Sequence, residues 1–327
     1  MQATPLRALV LALALALAAV PALAGIPDAG RFWDATPVRA RFALRHGDVS
    51  SRLRVALATV LPGETLELAA RDRTDTPLPL RITGSLELRQ TRSGVWTFTA
   101  PSRPGLVPLR VASLDAQDEI ALNVFVLVPR AQVAHGRLHG YEIGGYPASA
   151  VVQGTRVDPP PGFIEVTAHN ADTAVSPHFR LRQFLCKEAG GFPKYVLVDP
   201  RLLAKLEALL DALHQRGIAA HNLEIMSGYR TPAYNREIGN STSFSRHLWG
   251  DAADVFVDES PRDGRMDDLD GNGVVDARDA ELLYSLADAL DRNPPEDWSI
   301  GGAGYYAANP AHGPFVHLDV RGRTARW

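Results

Sequence analysis

The strongest constraint on the fold is an alternation of apolar and polar residues that runs from about Thr36 to Pro129. A period of two places the apolar side chains on one face of a strand, and turn sequences such as Arg103-Pro104-Gly105 separate the runs. We therefore predict a small antiparallel sandwich over residues 25–130, which acts as a binding or spacer module. The apolar positions of the runs are Leu53, Val55, Leu57, Leu66, Leu68, Trp96, Phe98, Val107, Leu109, Val111, Ile120, Leu122, Val124, Val126 and Val128.

The rest of the 327-residue chain has a different pattern. Residues 131–165 are rich in Gly and Pro, which predicts a linker of turns and extended chain. Asp199-Pro200 then opens a segment in which leucines recur at helical spacing until Gly217, and this predicts an amphipathic helix whose leucines enter the core. We expect residues 166–327 to form a second domain that contains helices and a small antiparallel sheet. The predicted fold class is α+β, preceded by the all-β sandwich.

The first 24 residues have the pattern of a secretory signal peptide. Arg7 precedes an apolar run from Ala8 to Val20, and Ala22-Leu23-Ala24 resembles a cleavage site. We expect an exported protein, periplasmic or associated with the cell wall, with no later segment long enough to span a membrane. The formal net charge of -3 argues against a general nucleic-acid binder. The single cysteine, Cys186, excludes an internal disulfide framework and is expected in the core.

Two segments far apart in sequence carry residues that bind metals. His247 lies in a predicted turn, and Asp254 lies at the mouth of a predicted strand that continues through residues 255–257. A second predicted strand places His317 and Asp319 on one face, because side chains alternate with a period of two. If the two strands pair, two imidazoles and a carboxylate converge. Three such ligands with one open position are typical of a catalytic zinc ion.

The segment from Ser245 to Asp254 matches the pattern S-x-H-x-x-G-x-A-x-D. It resembles the signature of the LAS-type zinc peptidases, which include D-Ala-D-Ala carboxypeptidases, D-Ala-D-Ala dipeptidases and phage endolysin peptidases. The resemblance extends from about Ser176 to Trp327, roughly half of the chain. It implies that His247, Asp254 and His317 hold zinc. It also implies that Arg230, in the segment 226–235, binds a substrate carboxylate or the developing oxyanion.

The sequence departs from this family at the general base. Many relatives have Glu or Asp three residues before the last zinc-binding histidine, whereas this chain has Pro314. Asp319, two residues after His317 on the same strand face, is one substitute, and His312 in the preceding loop is a second. Asp319 is equally suited to orient an imidazole from behind the metal.

A second metal site is predicted between the two zinc-binding segments. Residues 268–279 have oxygen-bearing side chains at loop positions one, three, five, nine and twelve, with Gly273 at position six. This spacing resembles an EF-hand loop of the dockerin type and predicts bound calcium as a structural clip. The predicted ligands are Asp268, Asp270, Asn272, the Val274 carbonyl, Asp276 and Asp279. A helix is expected to follow from about Ala280.

Together these patterns predict an exported zinc peptidase that hydrolyses peptide bonds in peptidoglycan stem peptides or cross-links. Both carboxypeptidase and endopeptidase activity remain open, as does the choice of bond. The alternative is a catalytically silent wall-binding protein that keeps the fold, which the lack of an acid at Pro314 would explain. The N-terminal sandwich is expected to be Ig-like, with a wall component or a protein as a possible partner.

Overall fold

We describe the protein from a computed structural model that covers residues 37–85, 87–92 and 94–327. The predicted signal peptide and Ser93 lie outside these residues. Within them, strands predominate and helices are few, which agrees with the α+β prediction.

The alternating N-terminal segment folds into strands that form two sheets. The strands are β1 (Arg39–His46), β2 (Val49–Leu53), β3 (Val55–Val60), β4 (Thr65–Arg71), β5 (Pro77–Leu78), β6 (Leu80–Gly84), β7 (Arg89–Arg92), β8 (Val95–Thr99), β9 (Gly105–Ser113), β10 (Asp118–Val126) and β11 (Val128–Pro129). One sheet has the order β2-β1-β4-β8-β7 with β5 paired to β4, and the other has the order β3-β10-β9-β6. Neighbouring strands are antiparallel, except that β3 is parallel to β10.

The two sheets share a hydrophobic core. Phe42 and Leu68 from the first sheet and Val111 and Leu122 from the second are all fully buried in it. Leu57, predicted among these residues, belongs instead to a second core. The reason is the period of two in β3, where the neighbouring alanines face the sandwich and Leu57 faces the opposite side. The strand is therefore buried on both faces.

Residues 131–165, predicted as a linker, contain short strands. The elements between the sandwich and the first helix are a 3-10 helix (Arg130–Gln132), β12 (Arg137–Leu138), β13 (Tyr141–Glu142), β14 (Ala150–Val152), β15 (Thr155–Val157), β16 (Gly162–Val166), a 3-10 helix (Leu181–Phe184) and β17 (Lys194–Val196). Two hairpins, β12-β13 and β14-β15, are followed by a small sheet with the order β11-β16-β17. This sheet joins the end of the sandwich to the C-terminal part of the chain.

The C-terminal part contains the helices α1 (Pro200–Gln215), α2 (Pro232–Glu237) and α3 (Ala277–Arg292). Helix α1 confirms the predicted amphipathic helix, since the Asp199 side chain accepts the N-terminal hydrogen bond from the Arg201 amide. Gly217 follows the helix with φ of +75°. Helix α3 includes the helix expected after the predicted calcium loop. Cys186 is buried, as predicted.

An antiparallel sheet carries the candidate site. Its strands are β18 (Glu224–Ser227), β19 (Ala252–Phe256), β20 (Gly302–Tyr306), β21 (Phe315–Asp319) and β22 (Ala325–Arg326), in the order β18-β19-β21-β20-β22, with β22 parallel to β20. The predicted pairing is confirmed, because β19 and β21 are neighbours and Asp254 lies directly opposite His317. Asp254 lies inside β19 rather than at its start.

The second core unites the C-terminal part with the sandwich. It contains Leu206 of α1, Leu283 of α3 and Val316 of β21, and also Leu57 and Phe125 from the sandwich strands. The described residues accordingly group into one compact unit. In the described part of the chain, no helix is both long enough and apolar enough to cross a membrane.

Candidate metal centre

His247 lies in a 3-10 turn (Arg246–Trp249) immediately before β19. Gly250 ends this turn with φ of +68°, and a Cβ atom at this position would lie 2.2 Å from the Leu197 carbonyl oxygen. Glycine alone avoids both the backbone strain and the clash. The tight turn places His247 Nδ1 2.7 Å from the Gly228 carbonyl oxygen, to which it donates. In the neutral ring, Nε2 is then left with a lone pair.

Three donor atoms converge at this point. His247 Nε2 lies 3.2 Å from His317 Nδ1 and 3.3 Å from Asp254 Oδ1, and the last two atoms are 2.8 Å apart. The three residues are each less than a tenth exposed. The convergence follows from the cross-strand pairing of Asp254 and His317 together with the turn that carries His247. The described residues thus contain the constellation that the sequence predicted.

Asp319 lies on the other side of the His317 ring. Its Oδ2 atom is 3.2 Å from His317 Nε2, so this carboxylate faces the ring nitrogen that points away from Asp254. Asp319 is fully buried, where Arg321 pairs with it and the Gly302 amide donates to it at 2.8 Å. A carboxylate at this place fixes the orientation and the tautomer of the imidazole.

Burial and charge shift the pKa values of these groups in opposite directions. Burial lowers the pKa of His247. Burial acts against ionised Asp254, but the charges and hydrogen bonds of both histidines hold its pKa well below the usual range. For His317, burial is outweighed by hydrogen bonds to Asp254 and Asp319, which raise its pKa. The centre therefore favours an ionised Asp254 carboxylate with a positive charge beside it.

The donor set fits a divalent metal. Tetrahedral zinc binds nitrogen and oxygen about 2.0–2.1 Å away, which separates its ligand atoms by about 3.3 Å. The three separations here, 2.8, 3.2 and 3.3 Å, come close to that value. Two imidazoles and one carboxylate leave a fourth position for water or substrate. His247, Asp254 and His317 could therefore hold zinc in a catalytic arrangement.

The three donors lie in a cleft with a volume of about 460 Å³. The hairpin β14-β15 contributes one part of its wall, and the turn after β21 together with Trp327 contributes another. Among the described residues that line it, Asp254 provides the only carboxylate, while several arginines provide positive charge. The lining residues are Val152, Gln153, Thr155, Val157, Arg230, Asn240, Thr242, Phe244, Ser245, Arg246, His247, Asp254, Tyr306, Phe315, His317, Arg321, Arg323 and Trp327.

Arg230 lies in the cleft and contacts the centre directly. Its Nη2 donates to Asp254 Oδ2, and its Nε donates to Ser227 Oγ at 2.7 Å. Asp254 thus directs one oxygen to the histidines and the other to the guanidinium. Arg230 Nη1 has no partner within the described part of the chain, so this N–H group is available to a substrate oxygen.

The other two predicted catalytic residues lie outside the cleft lining. His312 contacts Asn309 and the Gly313 carbonyl oxygen through its ring nitrogens, and its ring packs edge-on against Phe315. Asp319 is enclosed behind His317, as described above. Pro314 is buried.

The predicted calcium loop brings some of its residues together. Oxygen atoms of Asp268, Asp270 and Asp279 lie within 4.8 Å of one another. Asp279 also accepts hydrogen bonds from the Leu269, Asp270 and Asp276 amides, which closes the loop against the first turn of α3. Asp276 caps that helix by accepting from the Arg278 amide, and Asn272 Oδ1 accepts from the Val274 amide. Asp276 does not join the acidic group.

Residues 177–267 match the family model described as Peptidase M15. The matched region includes Arg230, His247 and Asp254, whereas His317 and the acidic loop lie beyond it. The match supports a peptidase and agrees with the family resemblance of the sequence. The comparison with curated proteins finds no match.

Two solved structures match part of the chain with low TM-scores. Domains 4 and 5 of the S-layer protein SbsC are 16% identical, with coverage of 29% of this chain and 55% of that chain, and a TM-score of 0.20. The adhesin InvE of Yersinia pseudotuberculosis is 18% identical, with coverage of 27% of this chain and 26% of that chain, and a TM-score of 0.17. The chain spans about half of the first structure and about a quarter of the second.

Several residues of the cleft were not identified from the sequence. Gly228 lies in the segment 226–235, but its role is carried by a main-chain carbonyl, which any residue has. Arg321, Arg323 and Trp327 follow β21, and nothing in their spacing indicates a binding surface. Gln153 and its hairpin neighbours lie in the predicted linker.

Proposed function

We propose that the chain is a zinc-dependent peptidase that hydrolyses peptide bonds in the stem peptides or cross-links of peptidoglycan. The observation that carries this proposal is the convergence of His247, Asp254 and His317 in an open cleft, within a chain of which residues 177–267 match Peptidase M15. Zinc held by these residues would lower the pKa of a bound water and polarise the scissile carbonyl. The substrate class rests on the resemblance to wall peptidases.

The protein groups around the centre have separate tasks in this mechanism. Gly228 and Asp319 orient the two imidazoles through the ring nitrogens that do not face the centre. Arg230 steadies Asp254 and directs its free N–H group toward the substrate carbonyl or carboxylate.

The proton acceptor is assigned by elimination among the candidates. Asp319 is enclosed, and its ion pair with Arg321 and hydrogen bond from His317 hold its pKa well below the usual range against the effect of burial. We therefore propose that Asp319 is a positioning residue for His317. This leaves His312, which packs edge-on against the cleft residue Phe315, as the remaining candidate base among the predicted residues.

Digestion of purified peptidoglycan tests the function. The zinc-loaded protein is incubated with intact sacculi, and the released products are identified by mass spectrometry. His247→Ala is compared with His169→Ala, because His169 is exposed and lies outside the cleft lining. Loss of a terminal D-Ala would identify a carboxypeptidase, and loss of cross-linked dimers an endopeptidase. Both the wild type and His169→Ala should give the product, and His247→Ala should give none.

A complete absence of product from the zinc-loaded wild type would refute the peptidase proposal. Co-sedimentation of the same protein with sacculi would then support the alternative, a silent wall-binding protein. Activity retained in His247→Ala would refute the assignment of the metal site.

We also propose that residues 268–279 bind calcium as a structural clip. Three acidic side chains lie together at the N-terminus of α3, and α3 packs through Leu283 and Leu286 into the second core. Calcium should raise the melting temperature, with a smaller increase for Asp270→Asn. The matched control is Asp263→Asn, which changes an exposed acid outside the loop. An unchanged melting temperature on calcium removal would refute the clip.

Export remains a proposal that rests on the N-terminal sequence. It agrees with the proposed substrate, because peptidoglycan lies outside the cytoplasmic membrane. The sandwich is proposed to contact a wall component or a protein partner. Fractionation of cells that express the full chain, followed by N-terminal sequencing of the mature protein, would test both export and cleavage after Ala24.

A further inference from the structure

The cleft has an excess of guanidinium groups over carboxylates. Arg230, Arg246, Arg321 and Arg323 line it, and Asp254 is the one carboxylate in the described lining. The first three arginines each have a carboxylate partner, which is Asp254, Asp251 or Asp319 respectively. Their charges are therefore neutralised within the protein.

Arg323 is different from these three. It is half-buried in the cleft lining, and its side chain has no hydrogen bond or ion pair with any described residue. It lies in the turn between β21 and β22, where Gly322 has φ of +81° and places both flanking arginines in the cleft wall. A partly desolvated guanidinium without a counter-ion is costly, and a ligand carboxylate would remove that cost through two parallel hydrogen bonds.

Trp327 provides a rigid surface beside this charge. Its ring lies 5.3 Å from the His317 ring, and Arg321 packs over it with Cζ 5.3 Å from the ring centre. Its indole N–H donates to the Tyr306 hydroxyl. A Cβ atom on Gly304 would lie 2.4 Å from the indole nitrogen, so glycine at this point of β20 provides the space in which the ring lies. The ring thus lies between the His317 ring and the Arg321 guanidinium.

We propose that Arg323 determines specificity by binding a free carboxylate of the substrate peptide. The cleft would then prefer anionic peptides to the same peptides in amidated form. This inference rests on the proposed function, because it places the substrate in the same cleft. Stem peptides of peptidoglycan suit this requirement, since they carry free carboxylates close to their peptide bonds. Trp327 would hold the apolar part of the peptide while Arg323 binds the charge.

The test uses the full-length, zinc-loaded protein and a set of synthetic stem peptides. In one peptide all carboxylates are free, and in the others each carboxylate is amidated in turn. Hydrolysis and binding are measured for each peptide, by mass spectrometry and by calorimetry. Arg323→Gln and Arg323→Lys are compared with the wild type, and Arg103→Gln is the control because Arg103 is exposed on the sandwich.

The wild type should favour the free acid over one of the amides by about 10-fold to 100-fold in kcat/KM, the range of a charge-assisted hydrogen bond. Arg323→Gln should lose that preference, because only its kcat/KM for the free acid should fall. Arg323→Lys should keep part of the preference, and Arg103→Gln should keep all of it. Equal losses on acid and amide, or a wild type without preference, would overturn the inference. If no peptide is hydrolysed, the peptidase proposal fails, but the inference about Arg323 can still be tested by binding. Tighter binding of the free acid than of the amide, lost in Arg323→Gln, would support the inference. Equal binding of acid and amide, or no binding of either, would overturn it.

Discussion

Asp254 and His317 are direct partners across two antiparallel strands, and Asp254 Oδ1 lies 2.8 Å from His317 Nδ1. Opposed side chains on adjacent strands lie about 4.5–5.5 Å apart at Cβ, so two short polar groups at such positions meet without any loop to hold them. The sheet itself therefore sets the geometry of two of the three candidate ligands. The third, His247, depends on a single tight turn.

Asp319→Asn should weaken zinc binding about 10-fold to 100-fold, because the His317 imidazole loses the carboxylate that orients it. Asparagine keeps an oxygen that can accept from the Gly302 amide, so the fold should persist. Competition with a chromogenic chelator measures the affinity. Asp211→Asn, which changes an acid paired with Arg39 outside the cleft, should leave zinc affinity unchanged. An unaltered affinity in Asp319→Asn would contradict the orienting role.

Gly250→Ala should destabilise the fold by more than the about 1–3 kcal/mol expected from a positive φ alone. A Cβ atom there would overlap the Leu197 carbonyl oxygen. Gly154→Ala is the matched control, because Gly154 has φ of +86° but no atom within 4 Å of the added Cβ. Urea unfolding followed by circular dichroism measures both. Equal losses in the two variants would show that the close approach to Leu197 does not matter.

Acidification should destabilise the protein through His46. Burial lowers the pKa of this histidine from 6.5 to about 4, and its Nε2 has no partner in the described part of the chain. Since the unfolded chain binds the proton first, the free energy of unfolding should fall as the pH decreases from about 6.5 to about 4, by up to about 3 kcal/mol. Above pH 7 the contribution is constant.

Urea unfolding at pH 7.5 and pH 4.5 measures this effect, with His46→Leu beside the wild type. The variant should lose less stability between the two pH values. His169→Gln, at an exposed position, serves as the control. The same loss in His46→Leu as in the wild type would assign the acid sensitivity to other groups.

Arg230→Lys should lower kcat about 10²-fold or more, in line with the loss of one donor to a developing oxyanion. Lysine keeps the charge but cannot contact Ser227, Asp254 and a substrate oxygen at once. Steady-state kinetics on the peptide that the wild type cleaves measures the change. Arg262→Lys, at an exposed position outside the cleft, should behave like the wild type. A change in KM alone would indicate a role in substrate binding only.

The sequence predicts the local structure well where a short-range pattern decides it. The period of two predicts the sandwich strands, Asp199-Pro200 and Gly217 delimit α1, and spacing on two strands predicts that Asp254 meets His317. These features depend on neighbours along the chain or on one strand pairing. The enclosure of Asp319 by Arg321 and the Gly302 amide depends on β20 lying next to β21, which no local pattern encodes.

The sequence was least informative in the Gly- and Pro-rich residues 131–165. Composition predicts a linker there because such residues favour turns, yet the hairpin β14-β15 forms part of the cleft wall. A two-residue turn at Gln153 and Gly154, both with positive φ, closes this hairpin. The position of this hairpin over the site comes from tertiary packing, which amino-acid composition does not predict.

Tyr146, in the same segment, donates its hydroxyl to the Leu248 carbonyl oxygen at 2.8 Å, and the same hydroxyl lies 2.9 Å from the Tyr229 hydroxyl. Leu248 directly follows His247 and Tyr229 directly precedes Arg230, so Tyr146 contacts the chain neighbours of two cleft residues. The smallest fragment that retains the whole cleft must therefore begin upstream of Tyr146, well before residue 166. A cut between residues 130 and 131 would still separate β11 from β16. The sandwich and the C-terminal part share a buried core, so limited proteolysis should leave the chain between them resistant to cleavage.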